Sequence, residues 1–300
     1  MTQSRSREHD ARSIAHHYDV SNDFYALFLD PLMVYTCAYY RDSDGKLEQA
    51  QEDKLDLVCR KLRLQPGERL LDIGCGWGGL SIWAAQHYGV RAHGVTLSKA
   101  QAEWAAARIE REGLTGRCLV EYRDFRDLPE DARYEKIAAI GVIEHVGIPN
   151  YPAFFGRVKQ MLLDGGLYLN HGIHHEFHWR RTSQTDFLYR YVFPNGDLSG
   201  VTETLTEMER AGWELLDVEN LRLHYARTCR EWAERLRARA EEARAIVGEQ
   251  IYRTWLLYLT CSSAAFTSGS IGLYQVLMQK QWDQTRGSAP TTREGIYAGW

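Results

Sequence analysis

The sequence predicts an α/β protein built on a doubly wound parallel sheet, and three observations carry that prediction. A short apolar run, Leu70-Leu71-Asp72-Ile73, breaks at Gly74-Cys75-Gly76 and gives way to an amphipathic segment from Gly79 to Tyr88, which reads as strand, tight glycine turn and helix. Further apolar runs over Ala92–Thr96, Cys118–Tyr122 and Lys136–Ile140 follow at regular intervals. Between and after them, helical periodicity appears over Lys99–Glu112 and Tyr151–Leu163. Strands that alternate with helices make a parallel sheet, and ligands bind where its strands end.

Taken in order, residues 1 to about 10 are polar and expected to be disordered, and the stretch up to residue 46 is crowded with aromatics. Tyr18, Phe24, Tyr25, Phe28, Tyr35, Tyr39 and Tyr40 could each be packing alone; together, ahead of a ligand-binding turn, they predict a flap whose ring faces attract cations. Leu47–Leu62 reads as a helix with apolar Leu55, Leu57, Val58 and Leu62, stopped before Pro66-Gly67. Ser98 caps the helix Lys99–Glu112, and Gly113 ends it. The helix Tyr151–Leu163 ends at Asp164-Gly165-Gly166, and the strand Leu167–Asn170 delivers His171-Gly172-Ile173. Periodicity is lost over residues 174–200, which predicts an inserted lid. A helix, Val201–Ala211, and a strand, Trp213–Leu221, resume the sheet. Arg230–Glu249 and Gln250–Thr267 read as long helices, the closing strand lies near Leu273–Lys280, and the tail after Gln281 carries no clear signal. A single domain is expected, with flap 1–46, ligand-binding core 47–173, lid 174–200 and a remainder, 201–300, that completes the sheet and covers the substrate.

The hydrophobic fraction of 44% suffices for a sizeable core, and a net charge of −4 without a Lys/Arg block argues against nucleic acid as a partner. Arg180-Arg181 and the basic run Arg235–Arg244 read as solvated faces that could also meet anionic lipid head groups. Six scattered cysteines without C-x-x-C spacing indicate neither a zinc site nor a disulfide framework, so no metal is expected and a reducing cytoplasm fits. The N-terminus is no signal peptide and no apolar run spans a bilayer, so a membrane substrate would be met from the surface, at the inner face.

The glycine turn has a plain reading, an ordinary βα connection, and two sharper ones. Gly79 meets the third position of the dinucleotide fingerprint, so the glycines alone do not decide. The next strand ends in Thr96-Leu97-Ser98, without the carboxylate that would hold a dinucleotide's ribose. D-I-G-C-G-W-G-G resembles instead the turn of S-adenosylmethionine-dependent methyltransferases, and a methylsulfonium is a cation that the aromatic flap would attract.

The segments H-Y-D-V-S-N-D-F-Y, L-F-L-D-P-L-M-V-Y-T-C-A-Y-Y, L-D-I-G-C-G-W-G-G, G-V-T-L-S, I-E-H-V-G and H-Y-A-R-T, in this order, resemble the cyclopropane-fatty-acid synthase family, which includes the mycolic-acid cyclopropane synthases. The likeness runs from about Ala15 to Gln279. It implies a Rossmann-like class I methyltransferase fold with an N-terminal helical flap and an inserted lid. By the same resemblance, Gly74 and Gly76 face the methionine part of S-adenosylmethionine, Thr96, Leu97 and Gln101 the ribose and adenosine, and Asp124, Phe125 and Ile140 the adenine edge. Tyr35 and Thr36 close over the cosubstrate from the flap. Gln101, a neutral donor and acceptor, would replace the missing carboxylate on the ribose.

The resemblance further implies methyl or methylene transfer to the double bond of an unsaturated acyl lipid, through a carbocation deprotonated by bound bicarbonate. Cys37, Glu144, His171, Ile173 and Tyr225 match the family's bicarbonate positions. Singly these are a small buried hydrophobe, a surface carboxylate or a core histidine; their joint order favours the functional reading. Tyr18, Tyr25, Tyr191 or Phe193 could steady the cation. The chain departs from relatives in lacking the extra N-terminal domain of the longer phospholipid enzymes and in a shorter lid. Tyr189 stands where relatives often have an acidic residue, and Ser262 replaces a cysteine that lies one place earlier here, at Cys261. These differences leave the acyl substrate open. A small isoprenoid or amine substrate is the first alternative, and a fold that has lost catalysis and serves as an interaction module is the second. How subunits associate is not legible.

Overall fold

The computed structural model describes residues 21–193, 197–280 and 292–299. The expectations for residues 1–10, for Tyr18 and for residues 281–291 lie outside these. The aromatic segment opens with α1 (Asn22–Tyr25), capped by the Ser21 hydroxyl, and α2 (Leu47–Lys61) follows. The first half then runs β1 (Arg69–Ile73), α3 (Gly79–His87), β2 (Arg91–Thr96), α4 (Lys99–Arg111), β3 (Cys118–Tyr122), β4 (Tyr134–Ile140), α5 (Ile143–Val146) and α6 (Tyr151–Met161). The second half comprises β5 (Leu162–His175), α7 (Ser183–Tyr191), α8 (Val201–Arg210), β6 (Trp213–Asn220), α9 (Arg222–Ala238), α10 (Ala240–Ser268), β7 (Ile271–Lys280) and α11 (Glu294–Tyr297).

The seven strands form one sheet of order β3-β2-β1-β4-β5-β7-β6. The first five are parallel, and β7 pairs antiparallel with both β5 and β6. The order reverses between β1 and β4, the switch point at which ligands enter a doubly wound sheet. Alternate residues of each strand feed two apolar layers, Leu70, Ala92 and Val120 on one face and Leu71, Ile73 and Val95 on the other. A third cluster joins the flap to α9 and α10, with Phe24, Tyr25, Phe28 and Trp232 fully buried.

Five features differ from the sequence reading. The helix α6 stops at Met161 and β5 begins at once, because the Asp164-Gly165-Gly166 turn is taken up as an irregularity in the β4–β5 register. At its other end β5 continues through His171 and Ile173 to His175 and so carries the sheet into the lid. The lid is not irregular throughout: Thr182 and Thr185 form a reciprocal cap that starts α7. The long helix expected from Arg230 begins at Arg222, whose guanidinium donates to the Phe266 and Thr267 carbonyls, so H-Y-A-R-T is helical. The break expected at Glu249/Gln250 is a kink at Gly248, with φ 77°, inside α10; the two helices part at Arg239.

Candidate active site

The glycine turn adopts what its sequence requires. Gly74 has φ 71°, and a Cβ there would lie 2.6 Å from Val142 Cγ2. Asp72, at the end of β1, is buried and accepts a 2.9 Å hydrogen bond from Ser81 Oγ, with burial pushing its carboxyl up to about 7. Trp77, from the same turn, donates to Asn22 Oδ1 at 2.8 Å and packs on the Tyr25 ring at 5.0 Å. These two contacts lock the flap onto the turn.

Turn, flap, lid and strand ends enclose one cavity of about 1230 Å³, walled mainly by carbon. All ten residues expected at the cosubstrate line it: Tyr35 and Thr36 from the flap, Gly74 and Gly76 from the turn, and Thr96, Leu97, Gln101, Asp124, Phe125 and Ile140 from the strand ends. Thr96 Oγ1 donates to Gln101 Oε1 at 2.7 Å, which aims the amide nitrogen toward Gly76, where an added Cβ would lie 4.0 Å from it. Asp124 accepts from the Arg126 backbone and pairs with its guanidinium, so this carboxylate is already engaged at the cavity rim.

Of the five residues expected to hold an anion, Glu144, Ile173 and Tyr225 line the cavity, and Cys37 and His171 do not. Both of the latter are buried, at 0% and 1% exposure. Cys37 Sγ donates to the Ala38 carbonyl at 3.1 Å, and burial holds its thiol well above the ordinary value. His171 and Ile173 share one face of β5, two residues apart. Glu144 Oε1 accepts a 2.7 Å bond from the Ile173 N–H, while Glu144 Oε2 is buried with no partner among the described residues. Burial raises this carboxyl to about 7, opposed by hydrogen bonds from backbone N–H groups, its own and that of Ile173. Gln275 Nε2 lies 3.1 Å from His171 Nδ1; an amide nitrogen only donates, so the imidazole proton sits on Nε2, also buried without a partner. Burial and the charge of Lys54 lower the His171 pKa well below the ordinary value, so the ring is neutral. Tyr225 stacks on Phe266 with ring centroids 4.6 Å apart.

Among the rings expected to steady a cation, Phe193 lines the cavity, Tyr25 and Tyr191 do not, and Tyr18 lies outside the described residues. Tyr258 and Lys54 are among the cavity residues that went unnoticed in the sequence. Tyr258, on α10, meets Phe193 edge-on at 5.4 Å. Lys54, on α2, is 1% exposed. Its sequence signal was a charge within the apolar stripe Leu47, Ala50, Leu55, Val58 of an amphipathic helix.

The model of the mycolic acid cyclopropane synthetase family matches residues 5–276. A Pseudomonas putida protein named "Probable fatty acid methyltransferase" is 43% identical over 297 residues, covering 98% of this chain and 75% of that protein. The cyclopropane-fatty-acyl-phospholipid synthase of Escherichia coli K12 is 37% identical over 269 residues, covering 88% of this chain and 66% of that enzyme. This chain thus spans two thirds to three quarters of the length of these two relatives. Among solved structures, a cyclopropane synthase of Mycobacterium tuberculosis superposes with a TM-score of 0.85 at 34% identity, over 89% of this chain and 97% of that one. A mycolic acid cyclopropane synthase complexed with SAH and CTAB gives 0.85 at 33% identity, over 90% and 98%.

Proposed function

Because the chain belongs to the mycolic acid cyclopropane synthetase family of S-adenosylmethionine-dependent methyltransferases and has their Rossmann-like fold, we propose that its cavity carries out methylene transfer to the double bond of an unsaturated fatty-acyl chain, of the kind a cyclopropane-fatty-acyl-phospholipid synthase performs. The observation that carries this reading is the joining of the cosubstrate turn and a large carbon-walled chamber in one cavity, with one buried polar atom, Glu144 Oε2, left without a partner among the described residues at its wall. A small isoprenoid or amine would leave most of such a chamber unfilled, whereas an acyl chain fills it. The solved relative that holds CTAB supports the same reading, since CTAB pairs a long alkyl chain with a cationic head.

S-adenosylmethionine would lie along the ten lining residues named above and supplies the methyl group. An alkene is a weak nucleophile, so the chain's task is to align it and keep water out. The flap would serve both ends: Tyr35 and Thr36 line the cavity beside the turn, and Tyr35 is backed by the buried rings of Tyr25, Phe28 and Trp232, which limit the entry of water. Attack creates a positive centre on the acyl chain, which Phe193 and Tyr258 face with their ring electrons. Ring closure then needs a base for one proton of the added methyl group.

Bicarbonate fits as that base: neutral His171 Nε2–H offers a donor, and Glu144, protonated in part near neutral pH, shares a proton with the anion instead of repelling it. Ile173 fixes Glu144 through its N–H, and Tyr225 completes the wall. Cys37, one layer behind, packs the flap against the Leu221 carbonyl. The chain would meet its lipid from the membrane surface at the cytoplasmic face; no helix among the described residues is long and apolar enough to cross a membrane.

The test is mass spectrometry of whole-cell fatty acids from a host that makes monounsaturated lipids, with and without this protein. Gain of one CH2 by the monounsaturated acids is expected, and separation of the ring from the branched isomer identifies the product. Unchanged lipids, with purified protein still binding S-adenosylmethionine, would move the assignment to a small-molecule methyltransferase.

A further inference from the structure

Three lysines are buried among the described residues, and two have carboxylate partners. Lys61 Nζ lies 3.1 Å from Asp217 and 2.5 Å from Glu219, and Lys136 Nζ lies 3.6 Å from Glu68. Lys54 differs. Its ammonium donates one hydrogen bond, 3.0 Å to Thr36 Oγ1, and has no carboxylate at ion-pair distance among the described residues. Asp30, Asp72, Cys37 and Cys59 face it, as does His171, which burial keeps neutral. Asp30 is committed to the Leu32 and Val34 N–H groups, Asp72 to Ser81, and both thiols are held neutral by burial. Burial lowers the Lys54 pKa to about 8, so it remains charged at neutral pH.

An unpaired buried charge is costly unless an anion completes it. The Lys54 side chain reaches the cavity wall beside Thr36, Asp72 and Gly74, at the end remote from Asp124 and Phe125. With adenine at the β2 and β3 ends, that is the end left for the amino-acid part of the cosubstrate, whose carboxylate is its one anionic group. We propose that Lys54 is the counter-ion of this carboxylate, held in line by Thr36. The inference rests on the cavity being the S-adenosylmethionine site, and it adds a charge-pairing residue to it from α2.

The test is calorimetric binding to the whole protein of S-adenosylhomocysteine and of its decarboxylated analogue, in which hydrogen replaces the carboxylate. The wild type should prefer S-adenosylhomocysteine by about tenfold or more, as for hydrogen bonds to a charged partner. Lys54→Met, similar in length and uncharged, should bind the analogue as the wild type does and lose the preference. Lys54→Gln, which keeps a donor for Thr36, should lose it too and serves if the first variant does not fold. A wild type that binds both ligands equally, or a variant that keeps the full preference, overturns the role of Lys54 while leaving the cosubstrate site standing. A wild type that binds neither ligand overturns both.

Discussion

Glu144 is held at one oxygen only: Oε1 takes the Ile173 N–H at 2.7 Å, and Oε2 faces the buried interior with no partner among the described residues. A carboxyl group fixed in this way is oriented for a guest that shares its proton. Glu144→Gln should leave S-adenosylhomocysteine affinity within a factor of about two and lower turnover by roughly 10²–10⁴, the usual range for loss of a proton-transfer group. Parallel calorimetry and product assays check this; equal loss of binding and turnover would remove Glu144 from the reaction.

The same carboxyl makes stability depend on pH. Its folded value of about 7 lies above the ordinary 4.5, so the folded protein keeps a proton that the unfolded chain has released. Its contribution is full below about 4.5 and is lost as pH rises through about 7. Glu144→Gln cannot ionise, so its stability should match the wild type near pH 5 and exceed it near pH 8, by on the order of 3 kcal/mol. Asp72, also raised to about 7, is present in both proteins and cancels. Urea melts at the two pH values decide; a difference that does not change with pH contradicts the assignment.

His171 offers its one free N–H to the interior, at Nε2. Depleting dissolved carbon dioxide and bicarbonate should slow wild-type turnover, and added bicarbonate should restore it. In His171→Phe the concentration needed for half-restoration should rise by about tenfold, the effect of one lost charge-assisted hydrogen bond. Turnover indifferent to bicarbonate in both proteins would leave the anion without a role.

Phe177, 85% exposed, sits in the chain between the cavity residues Glu176 and His178, three and four positions before Arg180 and Arg181. An apolar ring beside cations suits a surface of anionic lipid. Phe177→Ser with Arg180→Ser should weaken sedimentation with anionic vesicles several-fold and leave activity on detergent-dispersed lipid near that of the wild type. Unchanged vesicle binding would place the membrane contact elsewhere.

The parallel half of the sheet was legible because glycine, apolar run and helix cap agree at each step from Leu70 to Ile140. Lining residues such as Thr96, Gln101 and Asp124 came from the family resemblance, and the strand ends of such a sheet say only roughly where a ligand lies. Less legible was what long-range contacts decide. Arg222 opens α9 with its N–H on Asn220 Oδ1 and its guanidinium on carbonyls at the end of α10, forty-odd residues away. The turn at Gly165-Gly166 reads as a helix stop, yet β4 and β7 recruit it into a strand. Lys54 escaped notice because a lysine within a helix is ordinarily read as surface. Cys37 and His171 were expected beside Glu144, Ile173 and Tyr225, but whether a residue reaches the cavity depends on side-chain direction, which motif order does not encode.

The register of the sheet gives Glu144 a meaning beyond its own chemistry. Gly141 N–H still donates to the His171 carbonyl at 2.8 Å, and a parallel ladder would next return the Ile173 N–H to Gly141. At Gly141 the backbone instead turns to φ 71°, β4 stops, and the Glu144 carboxylate occupies the place of the missing carbonyl. The reaction chamber is in this sense an unfinished seam. Were β4 to run one residue further, the sheet would close on itself and leave the carboxyl nothing to hold it, so the activity is written as much in where a strand ends as in which side chains surround it.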